Sequence, residues 1–224
     1  MKIALWGDSL TEGRPGVSFS SLLEQRMPEN SFTNYGKPGD TLISMYKRME
    51  KEKIDFEYDI TFIWIGVNDL YSNVLGVKQH PVVRSHTEFR HFYEKVIETA
   101  LTWSKKVITV SPALIGERVG NQWNRELKEL SNLIKDISSK YTEVTFLDLH
   151  QTFANEVRNK NCSDYISIKP MKVLIDVLFM RKRFQVDKAA QKRGLHLTLD
   201  GVHLNSKGAD IVANLYEKLL KEIV

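Results

Sequence analysis

The sequence predicts an α/β fold, a mostly parallel sheet with helices on both faces. Two observations carry the fold. Short apolar runs rich in Val and Ile alternate with longer stretches of helical period along the whole chain, as crossover units require. The first three runs each end in glycine and small polar residues, where open α/β sheets place their ligands.

The first run is Ile3–Trp6, and it breaks into Gly7-Asp8-Ser9. Phe19–Met27 follows with helical period, then the run Ser31–Tyr35, which passes into "NYGKPGDT" at 34–41. Thr41–Glu52 is again helical, and Ile60–Ile65 leads through Gly66 into Val67-Asn68-Asp69. Within Thr87–Ser104, Phe89, Phe92, Val96, Ala100 and Trp103 recur at three- and four-residue intervals, the spacing of one buried helix face. Val107–Val110, Trp123–Lys140 and Val144–Leu147 continue the alternation, and Ala209–Ile223 closes it as a helix. A fourth polar cluster, "LDGVHLNSKG" at 199–208, stands just before that helix. One site could collect all four clusters.

The totals fit one globular domain spanning 1–224. The 224 residues are 42% hydrophobic and 27% charged, and no repeat, low-complexity tract or linker interrupts them. A single cysteine, Cys162, cannot form an internal disulfide. Only four apolar residues follow Lys2 before Gly7, too few for a signal-peptide core, and no run approaches the roughly 18–20 residues of a membrane span. The expectation is a cytoplasmic protein without stable membrane insertion. Net charge is +4, but residues 156–193 hold ten Lys and Arg against four Asp and Glu, so the remainder carries −2. A basic surplus confined to one segment, with no interleaved aromatics or recognisable module, argues against a nucleic-acid partner.

A serine hydroxyl becomes a nucleophile when a histidine takes its proton, and the histidine needs a carboxylate to fix its tautomer. Asp200-Gly-Val-His203 supplies both within one turn, with Asp200 on the Nδ1 side and Nε2 pointing outward. Oxyanion donors are also available: the backbone N–H of Ser9, the backbone N–H of Gly39 and the neutral side-chain amide of Asn68. Against these stand plainer readings. Ser9 could be only a helix cap, and Asn68 could merely cap the segment after it. Asp8 is read as bonding turn amides and Asp69 as structural. The pattern His196-x-x-x-Asp200-x-x-His203 also admits a zinc reading, but His196 lies between leucines and no further ligand cluster is evident. No metal is therefore expected. His80, His86, His91 and His150 read as surface or capping residues, and Cys162 as an inert thiol.

Taken together and in order, Gly7-Asp8-Ser9-Leu10, Gly39 in "KPGDT", Gly66-x-Asn68-Asp69 and Asp200-x-x-His203 resemble the SGNH (GDSL-type) hydrolase family, over nearly the whole chain. The resemblance implies a flavodoxin-like three-layer α/β/α sandwich with five parallel strands in the order 2-1-3-4-5. It also implies hydrolysis of esters or thioesters, small-molecule substrates, without a metal or organic cofactor. Carried onto this chain, Ser9 is the nucleophile, Asp200 and His203 complete a triad, and Ser9, Gly39 and Asn68 form the oxyanion hole. Short acyl esters of carbohydrates or small metabolites are the favoured substrates. Longer acyl chains, as in lysophospholipids or acyl thioesters, are the alternative, and a non-catalytic binding module on the same fold is another.

Residues 149–197 are longer than compact members of the family need. The basic and apolar insertion at about 156–193 contains "MKVLIDVLFMRKRF" at 171–184, whose pattern suits a helix or a strand. It reads as an added structural element, as a subunit contact in a homodimer, or as a lid bringing Arg181, Lys182 and Arg183 to an anionic substrate group.

Overall fold

The computed structural model describes residues 1–70, 81–167 and 182–223. Five strands form one parallel sheet in the order β2-β1-β3-β4-β5. They are β1 (Lys2–Gly7), β2 (Ser31–Gly36), β3 (Tyr58–Trp64), β4 (Ser104–Val110) and β5 (Val144–Leu147). This is the flavodoxin-like order, and each run of the sequence falls in one strand, except that Ile65 of the third lies just past the end of β3.

The alternation along the strands explains the three layers. Ile3 and Leu5 of β1 point to one side of the sheet with Ile60, Phe62 and Trp64 of β3. Ala4 and Trp6 point to the other side with Ile63, as the two-residue period of a strand demands. On the first side pack α2 (Phe19–Arg26), α6 (Leu149–Val157), α7 (Arg183–Lys192) and α8 (Ser206–Ile223). Phe19 of α2 and Phe62 of β3 both meet Tyr216 of α8, the first edge-on and the second stacked at 4.0 Å. On the second side pack α3 (Leu42–Met49), α4 (His86–Leu101) and most of the buried face of α5 (Gln122–Ser138). Phe89, Val96 and Ala100 of the repeated face of α4 are buried as expected, while Tyr93 takes a core place that the period had given to Phe92.

Among the described residues, three helices escaped the sequence reading. The four-residue α1 (Ser9–Glu12) is capped by Asp8 and stopped by Gly13. The helix α6 is capped by Asp148, whose carboxylate accepts the Gln151 N–H. The helix α7 lies in the insertion, where charge masks its apolar face: only Val186 and Ala190 are buried. Of the stretch 171–184, residues 171–181 lie outside the described residues, and 182–184 lead into α7. No helix among the described residues is long and apolar enough to cross a membrane.

The order 2-1-3 means that the chain leaves β1 to one side for β2 and returns to the other side for β3. Connections therefore diverge at the carboxyl end of β1, which opens a crevice there. Ser9 follows β1 and Asn68 follows β3, so both stand at that crevice.

Candidate active site

At Gly7 a side chain would collide with Thr11 Oγ1 and the Trp64 carbonyl oxygen, so the tight exit from β1 requires glycine. Asp8 then turns the chain: its Oδ1 accepts the Leu10 N–H at 2.9 Å. Ser9 opens α1, 8% exposed. Its Oγ lies 3.0 Å from His203 Nε2, and His203 Nδ1 lies 2.8 Å from Asp200 Oδ2.

The other Asp200 oxygen holds its own turn, accepting the N–H groups of Val202 at 3.1 Å and His203 at 2.8 Å. One carboxylate thus shapes the loop and orients the imidazole. Asp200 is 2% and His203 12% exposed in their side chains. Burial by itself would raise the Asp200 pKa. The charge and hydrogen bond of His203, with the two N–H groups, outweigh it and hold the carboxyl below its usual value. An ionised Asp200 is the form that favours the Nδ1–H tautomer of His203, with Nε2 as the acceptor of a proton.

The second and third clusters meet the first. Lys37-Pro38-Gly39-Asp40 is a turn closed by the Asp40 N–H to the Lys37 carbonyl at 3.1 Å. Proline second and glycine third, with Gly39 at φ +79°, are what a type II turn needs. Asp40 is buried and paired with Arg48 at 2.7 Å, whose guanidinium lies over the Trp6 ring. Asn68 Nδ2 donates to the Asp40 carbonyl at 2.9 Å and to Asp8 Oδ2 at 3.3 Å. A continuous hydrogen-bonded path therefore joins the Gly39 turn, Asn68 and the Ser9 turn. Among the described residues, neither the Ser9 N–H nor the Gly39 N–H donates to another group. Both Asn68 amide protons are engaged, the bond to Asp8 being the longer.

Asp8 and Asp69 are buried carboxyls beneath this arrangement. Burial pushes Asp8 up to about 7, opposed by the Leu10 N–H and by His203 and reinforced by Asp40. Burial likewise pushes Asp69 up to about 7, opposed by the Leu42 N–H and reinforced by Asp8. Asp69 Oδ2 accepts that Leu42 N–H at 2.9 Å, tying the start of α3 to the end of β3. Asp8 bonds a turn amide, as the sequence reading had it, and additionally holds Asn68; for Asp69 the sequence reading had named a structural role but no partner.

The structure therefore brings together Ser9, Asp200 and His203, and sets Asn68 against the Gly39–Asp40 turn. Lys182 and Arg183 sit on the exposed start of α7, and no bond joins either to this cluster among the described residues. Arg181 and His80 lie outside the described residues. His196 Nε2 faces the Asn161 carbonyl at 3.5 Å. His150, expected at the surface or as a cap, is instead buried in the first turn of α6, where burial lowers its pKa. Cys162 is buried, and its thiol faces the Val157 carbonyl.

One buried charge was missed altogether. Glu117, in the loop after β4, is 1% exposed and accepts four hydrogen bonds from residues 196–198. A signal was present: "ALIGERV" is a lone carboxylate in an apolar loop directly after a strand.

A flavodoxin-like sheet with a bonded serine, histidine and aspartate at its carboxyl edge has the layout of an α/β ester hydrolase. The chain belongs to the GDSL-like lipase/acylhydrolase family, whose model matches residues 5–211, and it is a carboxylic ester hydrolase of that family. Among solved structures, it resembles the acetyl xylan esterase AlAXEase, with 21% identity over 98% of this chain and 99% of that one and a TM-score of 0.71. It also resembles Axe2, an acetylxylan esterase from Geobacillus stearothermophilus, at 19% identity over 97% and 92% with a TM-score of 0.70. A third is LAE5, an α/β hydrolase enzyme from the metagenome of Lake Arreo, Spain, at 16% identity over 96% and 92% with a TM-score of 0.69. A sequence comparison with curated proteins finds no match.

Proposed function

We propose that the chain is a serine esterase acting on short acyl esters, of the acetyl type, carried by carbohydrates or small metabolites. The observation that carries the reading is the relay Ser9 Oγ to His203 Nε2 at 3.0 Å and His203 Nδ1 to Asp200 Oδ2 at 2.8 Å. The neighbouring folds add support. Three Axe2 structures are of catalytic mutants in which a serine, an aspartate or a histidine is replaced by alanine. The latter two stand three positions apart there, as Asp200 and His203 do here.

In this mechanism Ser9 Oγ attacks the ester carbonyl carbon while its proton passes to His203 Nε2. The carbonyl electrons move onto oxygen, and the resulting oxyanion is met by the N–H groups of Ser9 and Gly39 and by the Asn68 amide. Asn68 gives up its longer bond to Asp8 to do so, keeping the bond to the Asp40 carbonyl that orients it. Collapse of the oxyanion breaks the bond to the alcohol, which leaves with the proton from His203. Water then attacks the acyl-Ser9, its proton going to His203. A second collapse frees the acid and returns that proton to Ser9 Oγ. Asp200 stays ionised throughout and steadies the imidazolium.

Truncating Asn68 to alanine is expected to lower kcat by about 10²–10³-fold while KM changes little, because the amide meets charge that develops only after attack. Steady-state kinetics on p-nitrophenyl acetate reads both; an unchanged kcat strikes Asn68 from the hole.

Chain length tests the substrate class. Hydrolysis of p-nitrophenyl acetate, butyrate, octanoate and palmitate should show kcat/KM falling steeply beyond butyrate, and acetate should be released from an acetylated xylo-oligosaccharide. Activity rising towards octanoate overturns the short-acyl assignment in favour of longer chains.

A further inference from the structure

Several backbone N–H and C=O groups in the segment 196–203 are bonded to partners from elsewhere in the fold. Gly116 N–H donates to the Gly201 carbonyl at 2.7 Å, and Ser167 N–H to the Asp200 carbonyl at 2.9 Å. Arg193 Nη1 donates to the Leu199 carbonyl at 2.9 Å. The three successive N–H groups of His196, Leu197 and Thr198 all donate to Glu117. His196 reaches Oε2 at 2.6 Å, while Leu197 and Thr198 reach Oε1 at 2.8 Å. The Thr198 hydroxyl adds a fourth bond to Oε1, also at 2.8 Å. A carboxylate is tolerated in such burial only when its oxygens are saturated by donors, and here one short segment supplies all four.

The Glu117 loop is itself rigidly placed. Asn124 of α5 accepts the Ile115 N–H through Oδ1 at 2.9 Å and donates through its amide to the carbonyls of Gly116 and Arg118. The path runs from α5 to the loop, from the loop to Glu117, and from Glu117 to the strand of chain that enters Asp200. From this connectivity we infer that Glu117 is a positioning residue for hydrolysis: it sets the placement of Asp200 and His203 over Ser9 without touching the substrate. The inference rests on the esterase reading. It assigns a role to a group that stands one element away from the reacting atoms, acting through residues 196–198.

Glu117→Gln keeps the volume and one acceptor oxygen, but whichever way the amide is turned its NH2 group faces an N–H donor. The segment must shift to relieve that clash, and displacement of a reacting group by about 1 Å costs on the order of 10²-fold. Thr198→Val is the milder variant: it removes only the hydroxyl bond and keeps the three backbone donors. Two readouts separate positioning from bare stability. The first is kcat for p-nitrophenyl acetate, per site titrated with a fluorophosphonate so that unfolded molecules do not count. The second is the downfield proton resonance of His203 Nδ1–H bonded to Asp200, which needs no substrate.

For Glu117→Gln we expect kcat per titrated site to fall about 10- to 100-fold, KM to stay within about threefold, and the resonance to move upfield. Thr198→Val should move both readouts in the same direction by less, and it decides the matter alone if Glu117→Gln does not fold. Wild-type kcat per site and an unshifted resonance in the folded variants overturn the inference. A wild-type protein with the resonance but without Ser9-dependent hydrolysis of any ester overturns the esterase reading instead, and the resonance in the variants then still decides the role of Glu117.

Discussion

Replacing Ser9 by alanine is expected to lower kcat for ester hydrolysis by about 10⁴-fold or more, with the residual rate set by the oxyanion donors and binding alone. The fold should survive the change. Ser9 is the first residue of α1, where alanine is a good helix former, and the cap of that helix comes from Asp8. The bond lost is the one to His203 Nε2, which in turn keeps its partner Asp200. Thermal unfolding of the variant should therefore stay close to wild type while turnover vanishes. An alanine variant that hydrolyses p-nitrophenyl acetate at the wild-type rate removes Ser9 from the mechanism.

Asp200→Asn should cost about 10⁴-fold in kcat and leave KM nearly unchanged. The amide keeps the shape of the side chain, and its oxygen can still accept the turn N–H groups of Val202 and His203. It then presents NH2 towards His203 Nδ1 and favours the tautomer that carries its proton on Nε2. That proton sits where the Ser9 proton must arrive, so the base is blocked rather than removed. The pH behaviour follows from the same carboxyl. Its pKa is lowered in the fold, so the stability it contributes is present above the ordinary carboxylate range and is lost only as pH falls through the lowered value. Asp8 and Asp69 have the opposite sign: raised to about 7, they favour the fold at acid pH and give up that contribution as pH rises towards neutrality.

Much of this was legible before any coordinates. The five strands announced themselves because a parallel sheet covered on both faces needs continuous apolar runs, and Ile60–Ile65 or Val107–Val110 have no other use. The four polar clusters were legible because each is local: a strand end, a turn and two or three side chains that act within a few residues. Asp200 and His203 even share one turn. What stayed hidden was either short or long-range. The helix α1 has only four residues, below any periodicity, and α7 buries just Val186 and Ala190 beneath a charged surface. Glu117 is separated by some 80 residues from its four donors, and no spacing rule connects a carboxylate in one loop to backbone N–H groups in another. His150 looked like a surface residue because its neighbours in sequence are polar on one side, yet the helix capped by Asp148 turns it inward.

The most direct measurement is covalent labelling with a fluorophosphonate, followed by intact mass and peptide mapping. Attack on phosphorus needs an activated serine, and it reads the Ser9–His203–Asp200 relay without presuming the natural ester. The account predicts one adduct per chain, located on Ser9, formed rapidly by the wild type and not at all by Ser9→Ala. Absence of an adduct in folded wild type, or an equal adduct in Ser9→Ala, contradicts it.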